Sequence, residues 1–245
     1  MAAEVGKEKK KKEAESSKLQ EEFKNIVGKN RKEAKSYAAD IALFGRMIAD
    51  NKNMGVDAAC QVAHAISTHK VEMETDYFTA IDDLLPNEES GSDMIGVVEF
   101  NSSCFYRYSN INLKKLRENL GLNSDLLAAT VLGYVEASVK AIPTGKQNSM
   151  AAQNPAGYAR AILRKDGFPW SLANAFQTPI RPSAEGCLEE RSIGALEDYF
   201  DRLKTVYGDD GIICDVSFNI HRPDGGSLSK MLGELKSALA GEGGK

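Results

Sequence analysis

The sequence predicts an α+β domain built on an antiparallel, ferredoxin-like sheet, and three observations lead there. Strand-like and helix-like segments are mixed without the steady strand-helix alternation of a parallel doubly wound sheet. No internal repeat is present. The 245 residues, 42% of them hydrophobic, suffice to bury a sizeable core in one domain or two small ones.

Taken in order, the elements begin with a helix. Leu19, Phe23, Ile26 and Val27 recur at helical spacing, so residues 1–39 are expected to form an N-terminal helix whose charged start, "KEKKKKEAE", is solvated and frayed. The main body spans 40–240. In it "DIALFGRMIA" (40–49) alternates like a strand, and "AACQVAHAISTHKVEM" is a second strand candidate rich in small and branched residues. Between Lys70 and Ile95 the chain turns acidic, carries Pro86 and Gly91, and loses any sustained period, which marks a hairpin-like excursion at about 70–95. "GVVEFNSSCFYRYSNINL" returns to strand pattern, with Phe105 and Arg107 on one side and Tyr106 and Tyr108 on the other.

Two helices follow. "INLKKLRENLG" stops at Gly121, and "NSDLLAATVLGYVEASVKAI" is capped by Asn123 or Ser124 and ends before Pro143. Beyond them "YARAILRK" and "PWSLANAF" are predicted strands, Ser192 to Tyr207 a helix, "IICDVSFNI" a strand, and Ser227 to Leu239 the last helix. Residues 241–245 form a frayed tail.

Composition narrows the function. A formal net charge of -4 excludes a protein that grips nucleic acid by overall positive charge, so any such contact must be local. Cys60, Cys104, Cys187 and Cys214 stand far apart without a C-x-x-C pair, as expected of reduced thiols in the cytoplasm. No apolar run has the length of a membrane span, and the first residues lack the apolar stretch of a signal peptide.

The loop "IPTGKQNSMAAQNP" (142–155) concentrates polar chemistry around a Gly-Lys pair. It is not a nucleotide P-loop, because that motif needs a glycine where Lys140 stands and a hydroxyl where Gln147 stands. A surface loop and a phosphate contact through Lys146, Gln147 and Asn148 both remain open. A catalytic reading would use Asp76, Asp82 and Asp83 for a metal with His64 or His69 as base. Adjacent aspartates on a strand face opposite ways, and so do histidines five residues apart, which favours one packed and one exposed histidine. His221, beside Arg222 and Pro223, is expected to be a simple loop residue.

The blocks "DIALFGRM", "VAHAISTHKVEMETDYFTAIDDL", "GVVEFNSSCFYRYSNINLKKLRENLG", "IPTGKQNSMAAQNP" and "PWSLANAF" occur in an order that resembles the CasC-type backbone subunit of the type I-E CRISPR surveillance complex, Cascade. The resemblance covers most of the chain from Asp40 to about Phe218. It implies an RRM-like palm, a helical fingers region and a protruding thumb at about 70–95. Its implied partners are CRISPR RNA, the target DNA strand through the guide, further copies in a helical filament and other Cascade subunits, with no membrane.

The family does not cut nucleic acid, so no enzyme activity, cofactor or metal is expected. Met47, Tyr77, Phe78, Thr79 and Ile95 match positions that pack around the kinked guide, where side chains replace lost base stacking. Lys146, Gln147 and Asn148 would meet the phosphate-sugar backbone without reading bases.

Family members usually begin with a strand and a basic, Ser-rich segment, and nothing similar precedes Asp40. The palm is therefore expected to be incomplete at its N-terminus, with 1–39 a remnant of the fingers. Two alternatives follow: a truncated fragment that does not assemble, or a metal-dependent ribonuclease on an RRM-like core. A protein that contacts only protein neighbours is a further rival.

Overall fold

The computed structural model describes residues 38–49, 55–81, 92–184 and 186–242. The expected N-terminal helix and the last tail residues lie outside them. The chain divides into two compact units, one of residues 1–61 with 110–133 and one of 62–109 with 134–245.

In the first unit, the segment expected as a strand is a helix, α1 (Ala39–Phe44). Neighbouring Ala42 and Leu43 are both buried, which a strand with alternating faces does not allow and a helix does. Gly45 ends it at φ +77, where a Cβ would stand 2.5 Å from the Val56 carbonyl oxygen. Only glycine fits both the angle and the space.

α1 packs with α2 (Leu113–Asn119), whose Leu116 is wholly buried. The buried Asn119 amide donates to the carbonyls of Ala42 at 2.9 Å and Asp57 at 3.0 Å, which satisfies both. Asn112 caps α2 by accepting from the Lys115 N–H at 3.0 Å, and Gly121 takes the left-handed conformation at φ +68. Asn123 then caps α3 (Ser124–Lys140) by accepting from the Leu126 N–H at 2.9 Å.

The strand expected over 58–73 is broken into β1 (Cys60–Val62) and β2 (Ile66–Ser67). β3 (Glu74–Ile81) and β4 (Ser92–Phe100) pair antiparallel, and this hairpin runs on to Phe100, past the expected end. After it, β5 (Phe105–Tyr106) pairs with β2, and β6 (Ser109–Ile111) with β1. The described strands therefore form four two-stranded ladders in place of the single sheet expected. Short strands interrupted by turns cannot extend a common register.

The second unit is centred on β7 (Tyr158–Arg164) and β8 (Ile212–Asn219), paired antiparallel with Tyr158 opposite Asn219. On one face α5 (Leu188–Tyr207) brings Leu196 and Phe200 against Tyr158, Ile162, Trp170, Leu172 and Phe176. Strand alternation turns Leu163, Val216 and Phe218 to the other face. There α6 (Leu228–Glu242) runs along β8 and buries Met231, Leu235 and Leu239.

"PWSLANAF" is not a strand. It forms a 3-10 turn (Ala173–Phe176) inside this core. Pro169 offers no N–H to a ladder, and the Leu172 N–H is satisfied instead by the Tyr106 hydroxyl at 2.9 Å. Among the described residues no helix is long and apolar enough to cross a membrane.

Candidate functional site

Among the described residues, the β3–β4 hairpin exposes apolar side chains on both faces. Tyr77 stands opposite Val97 and Thr79 opposite Ile95, while Phe78, Val98 and Phe100 share the other face. Tyr77 is 71% exposed, Val97 51% and Phe78 42%. Large apolar groups exposed together on a narrow ladder mark a surface built to be covered by something else. The Phe78 ring lies over Gly96, its register partner, where any added Cβ would collide with it. Such stacking of an aromatic over a cross-strand glycine secures register in a hairpin.

The base of the hairpin is held firmly. The Thr68 N–H donates to the Cys104 carbonyl at 3.0 Å, and the Thr68 carbonyl accepts from the Ile180 N–H at 3.0 Å. The buried Ser192 hydroxyl of α5 is hydrogen-bonded to the Thr68 hydroxyl at 2.8 Å. His69 joins both chain segments, with Nδ1–H donating to the Lys70 carbonyl at 2.8 Å and Nε2 accepting from the Cys104 N–H at 3.2 Å. Both ring nitrogens are thus spent on backbone, while His64 is exposed, the division that strand alternation favoured. Thr68, Ser192 and Gly96 were not singled out from sequence. The glycine opposite an aromatic was the one available signal.

The Gly-Lys loop is more ordered than a simple connection. It contains one helical turn, α4 (Gln147–Met150), started by exposed Lys146 in the left-handed region at φ +55. A non-glycine residue there costs about 1 kcal/mol, and such strain is commonest where function demands a geometry. The Lys146 carbonyl accepts from the Ser149 and Met150 N–H groups at 3.1 and 2.9 Å.

Gln147 closes the loop, its amide donating to the carbonyls of Pro143 at 2.6 Å and Ala152 at 3.4 Å. Its donors are therefore used within the loop, and it shapes the turn; Lys146 and Asn148 stay exposed. Arg107 steadies the loop's start by donating to the Ser138 and Ala141 carbonyls at 2.9 and 3.2 Å, at the negative end of α3.

Met47 lies in the first unit and is 92% exposed, directly after the bridge between Arg46 and Val56. The hairpin and the Lys146 loop lie in the second unit. Asp76 is exposed on β3, and Asp82 and Asp83 lie outside the described residues.

His221 is not a free loop residue. Its Nε2 lies 3.0 Å from Glu189 Oε2, its ring nitrogens lie 3.9 Å from Cys187 Sγ, and its N–H donates to Asn219 Oδ1 at 2.9 Å. Tyr158 and Arg160 have shifted titrations in the core. Burial pushes the Tyr158 phenol up to about 12 against the opposing charge of Arg160. Arg160 itself is paired with both carboxylate oxygens of Asp215 at 2.7 and 2.5 Å, its guanidinium 3.9 Å over the Phe200 ring. That cation serves packing.

Comparison with known proteins gives consistent results. The sequence model of a family described as CT1975-like protein matches residues 1–236. A chain of a solved "CRISPR RNA-guided surveillance complex, pre-nicking" is similar with a TM-score of 0.67 and 29% identity, over 84% of this chain and 56% of that one. A chain of another "CRISPR RNA-guided surveillance complex" is similar with a TM-score of 0.67 and 28% identity, over 91% of this chain and 82% of that one. This chain thus spans little more than half the length of the first relative. No curated protein matches it.

Proposed function

We propose that this chain, which belongs to the CT1975-like protein family, is a CasC-type, RNA-binding backbone subunit of a type I-E CRISPR surveillance complex. It grips the guide RNA in the cytoplasm, presents it for pairing with the target DNA strand, and does not cut it. The observation that carries this reading is the β3–β4 hairpin, anchored at its base and exposing Tyr77 and Phe78 on opposite faces.

In this reading the hairpin is the thumb, and the β7–β8 ladder belongs to an RRM-like palm. An aromatic side chain replaces base stacking at each kink of the guide, worth about 1–3 kcal/mol per base. Lys146 supplies a point charge to a phosphate, and Asn148 a hydrogen bond, without sequence readout. Met47, Thr79 and Ile95 pack beside the kinked nucleotides. Copies stack along one guide as a helical filament with other Cascade subunits, and base pairing does the reading.

The test is binding of labelled single-stranded RNA across a salt series. Affinity should fall as salt rises, and Lys146→Glu should weaken all sequences alike while lowering the salt slope by about 1. No binding at low salt, or an altered base preference in Lys146→Glu, would overturn the reading. Divalent-metal-dependent cleavage of CRISPR RNA, abolished by Asp82→Ala, would replace it with the ribonuclease.

A further inference from the structure

We infer that Cys187, Glu190 and His221 form a Zn²⁺ site that staples the start of α5 to the end of β8. One donor atom from each of these residues lies within 4.8 Å of the other two. A thiol, an imidazole and a carboxylate brought together from two chain segments are a zinc donor set, and three protein ligands leave the fourth tetrahedral position for water.

The surroundings are arranged for ligation. Glu189 Oε2 lies 3.0 Å from His221 Nε2, so the carboxylate takes the Nε2–H and leaves the Nδ1 lone pair for a metal. A carboxylate on the far nitrogen is the usual partner of a zinc-bound histidine. Cys187 Sγ stands 3.9 Å from both ring nitrogens, so a small turn of the ring directs Nδ1 at an ion shared with the sulfur.

Cys187 is also the N-cap of α5, its Sγ accepting from the Glu190 N–H at 3.4 Å. Ser, Thr, Asp or Asn normally fills that position. Two glycines clear room for the carboxylates. A Cβ at Gly157 would collide with Glu189, and one at Gly186, held at φ +73, would lie 3.0 Å from Glu190 Oε2.

The consequence is mechanical. Arg222 follows His221 and pairs with Glu197 of α5 at 2.5 Å, so the ion would add to the ties that Arg222 and His221 already make to that helix. Ser192, which holds Thr68 at the hairpin base, lies on the same helix. The staple thus steadies the support of the hairpin, whatever the hairpin binds.

The test uses tag-free full-length protein, kept reduced with a phosphine and stripped by a chelator, then titrated with Zn²⁺ against a chromophoric competitor. One Zn²⁺ per chain is expected. Cys187→Ser and His221→Ala should each lower affinity by more than about 100-fold, and Glu189→Gln by about 10- to 100-fold. Co²⁺ should give a thiolate charge-transfer band that Cys187→Ser abolishes. Should a variant fail to fold, the unmodified chain still decides: bound Zn²⁺ should protect Cys187 from iodoacetamide, followed by mass spectrometry. Absence of stoichiometric binding, equal affinity in Cys187→Ser and wild type, or unprotected alkylation of Cys187 would overturn the site.

Discussion

The β3–β4 and β7–β8 ladders use strands of similar length, eight and nine residues in one and seven and eight in the other, both antiparallel. They differ in what covers them. β7–β8 has α5 on one face and α6 on the other, and Leu163, Val216 and Phe218 are buried in it. β3–β4 leaves Tyr77 and Val97 exposed on one face and much of Phe78 on the other. Pairing alone therefore does not make a strand part of a core. The helix-covered ladder carries stability, and the bare one is free to meet a ligand.

Substitutions on either side of this contrast should act on different readouts. The largest effect is expected from Phe200→Ala, which empties a fully buried site beneath Trp170 and Arg160. It should cost about 3–5 kcal/mol in denaturant unfolding. A cost below about 1 kcal/mol would mean the covered ladder is not the stabilising centre.

Tyr77→Ala should do the reverse. Unfolding stability should stay within about 0.5 kcal/mol, because the ring is exposed. RNA affinity should fall by about 1–3 kcal/mol, some 5- to 150-fold. A large stability loss with unchanged RNA binding would erase the distinction between the ladders.

Alkaline titration probes the covered ladder again. Tyr158 has its folded pKa raised by burial to about 12 from an unfolded value of 10.0. Its contribution is fully present below pH 10 and is lost as pH rises through about 12. The loss, screened by partial exposure, is about 1 kcal/mol. Tyr158→Phe should flatten the decline of stability over that window, and an unchanged slope would show that the phenol is not buried from solvent. The smallest effect is expected from Gly96→Ala. The displaced Phe78 ring can swing into solvent, so the cost should stay below about 1 kcal/mol and appear as faster proteolysis of the hairpin. A severe loss would mean that something covers that face.

Much of the architecture was legible because its signals are local. Gly121 and Asn123 mark helix ends, since a cap acts within one turn. The change of character after Lys70 marked the hairpin, and the apolar runs at 158–164 and 212–219 marked the long ladder. The misreadings have the same root. Alternation in "DIALFGRM" is compatible with one and a half helical turns, and "PWSLANAF" looks like a strand until Pro169 and the Tyr106 hydroxyl are considered together. The Lys146 loop was visible as chemistry, but its helical turn and the inward use of Gln147 were not.

Residue order alone marked Gly121 and Asn123 as helix ends, a hairpin-like excursion after Lys70 and the aromatic candidates Tyr77 and Phe78, all properties of neighbours a few positions apart. Folding settled which ladder is covered and which is bare. It also joined partners that no window of sequence contains: Thr68 to Ser192 across 124 positions, Tyr106 to Leu172 across 66, and Cys187 to His221 across 34. Burial and side-chain convergence depend on distant segments arriving at one place, and short-range periodicity carries no record of that meeting.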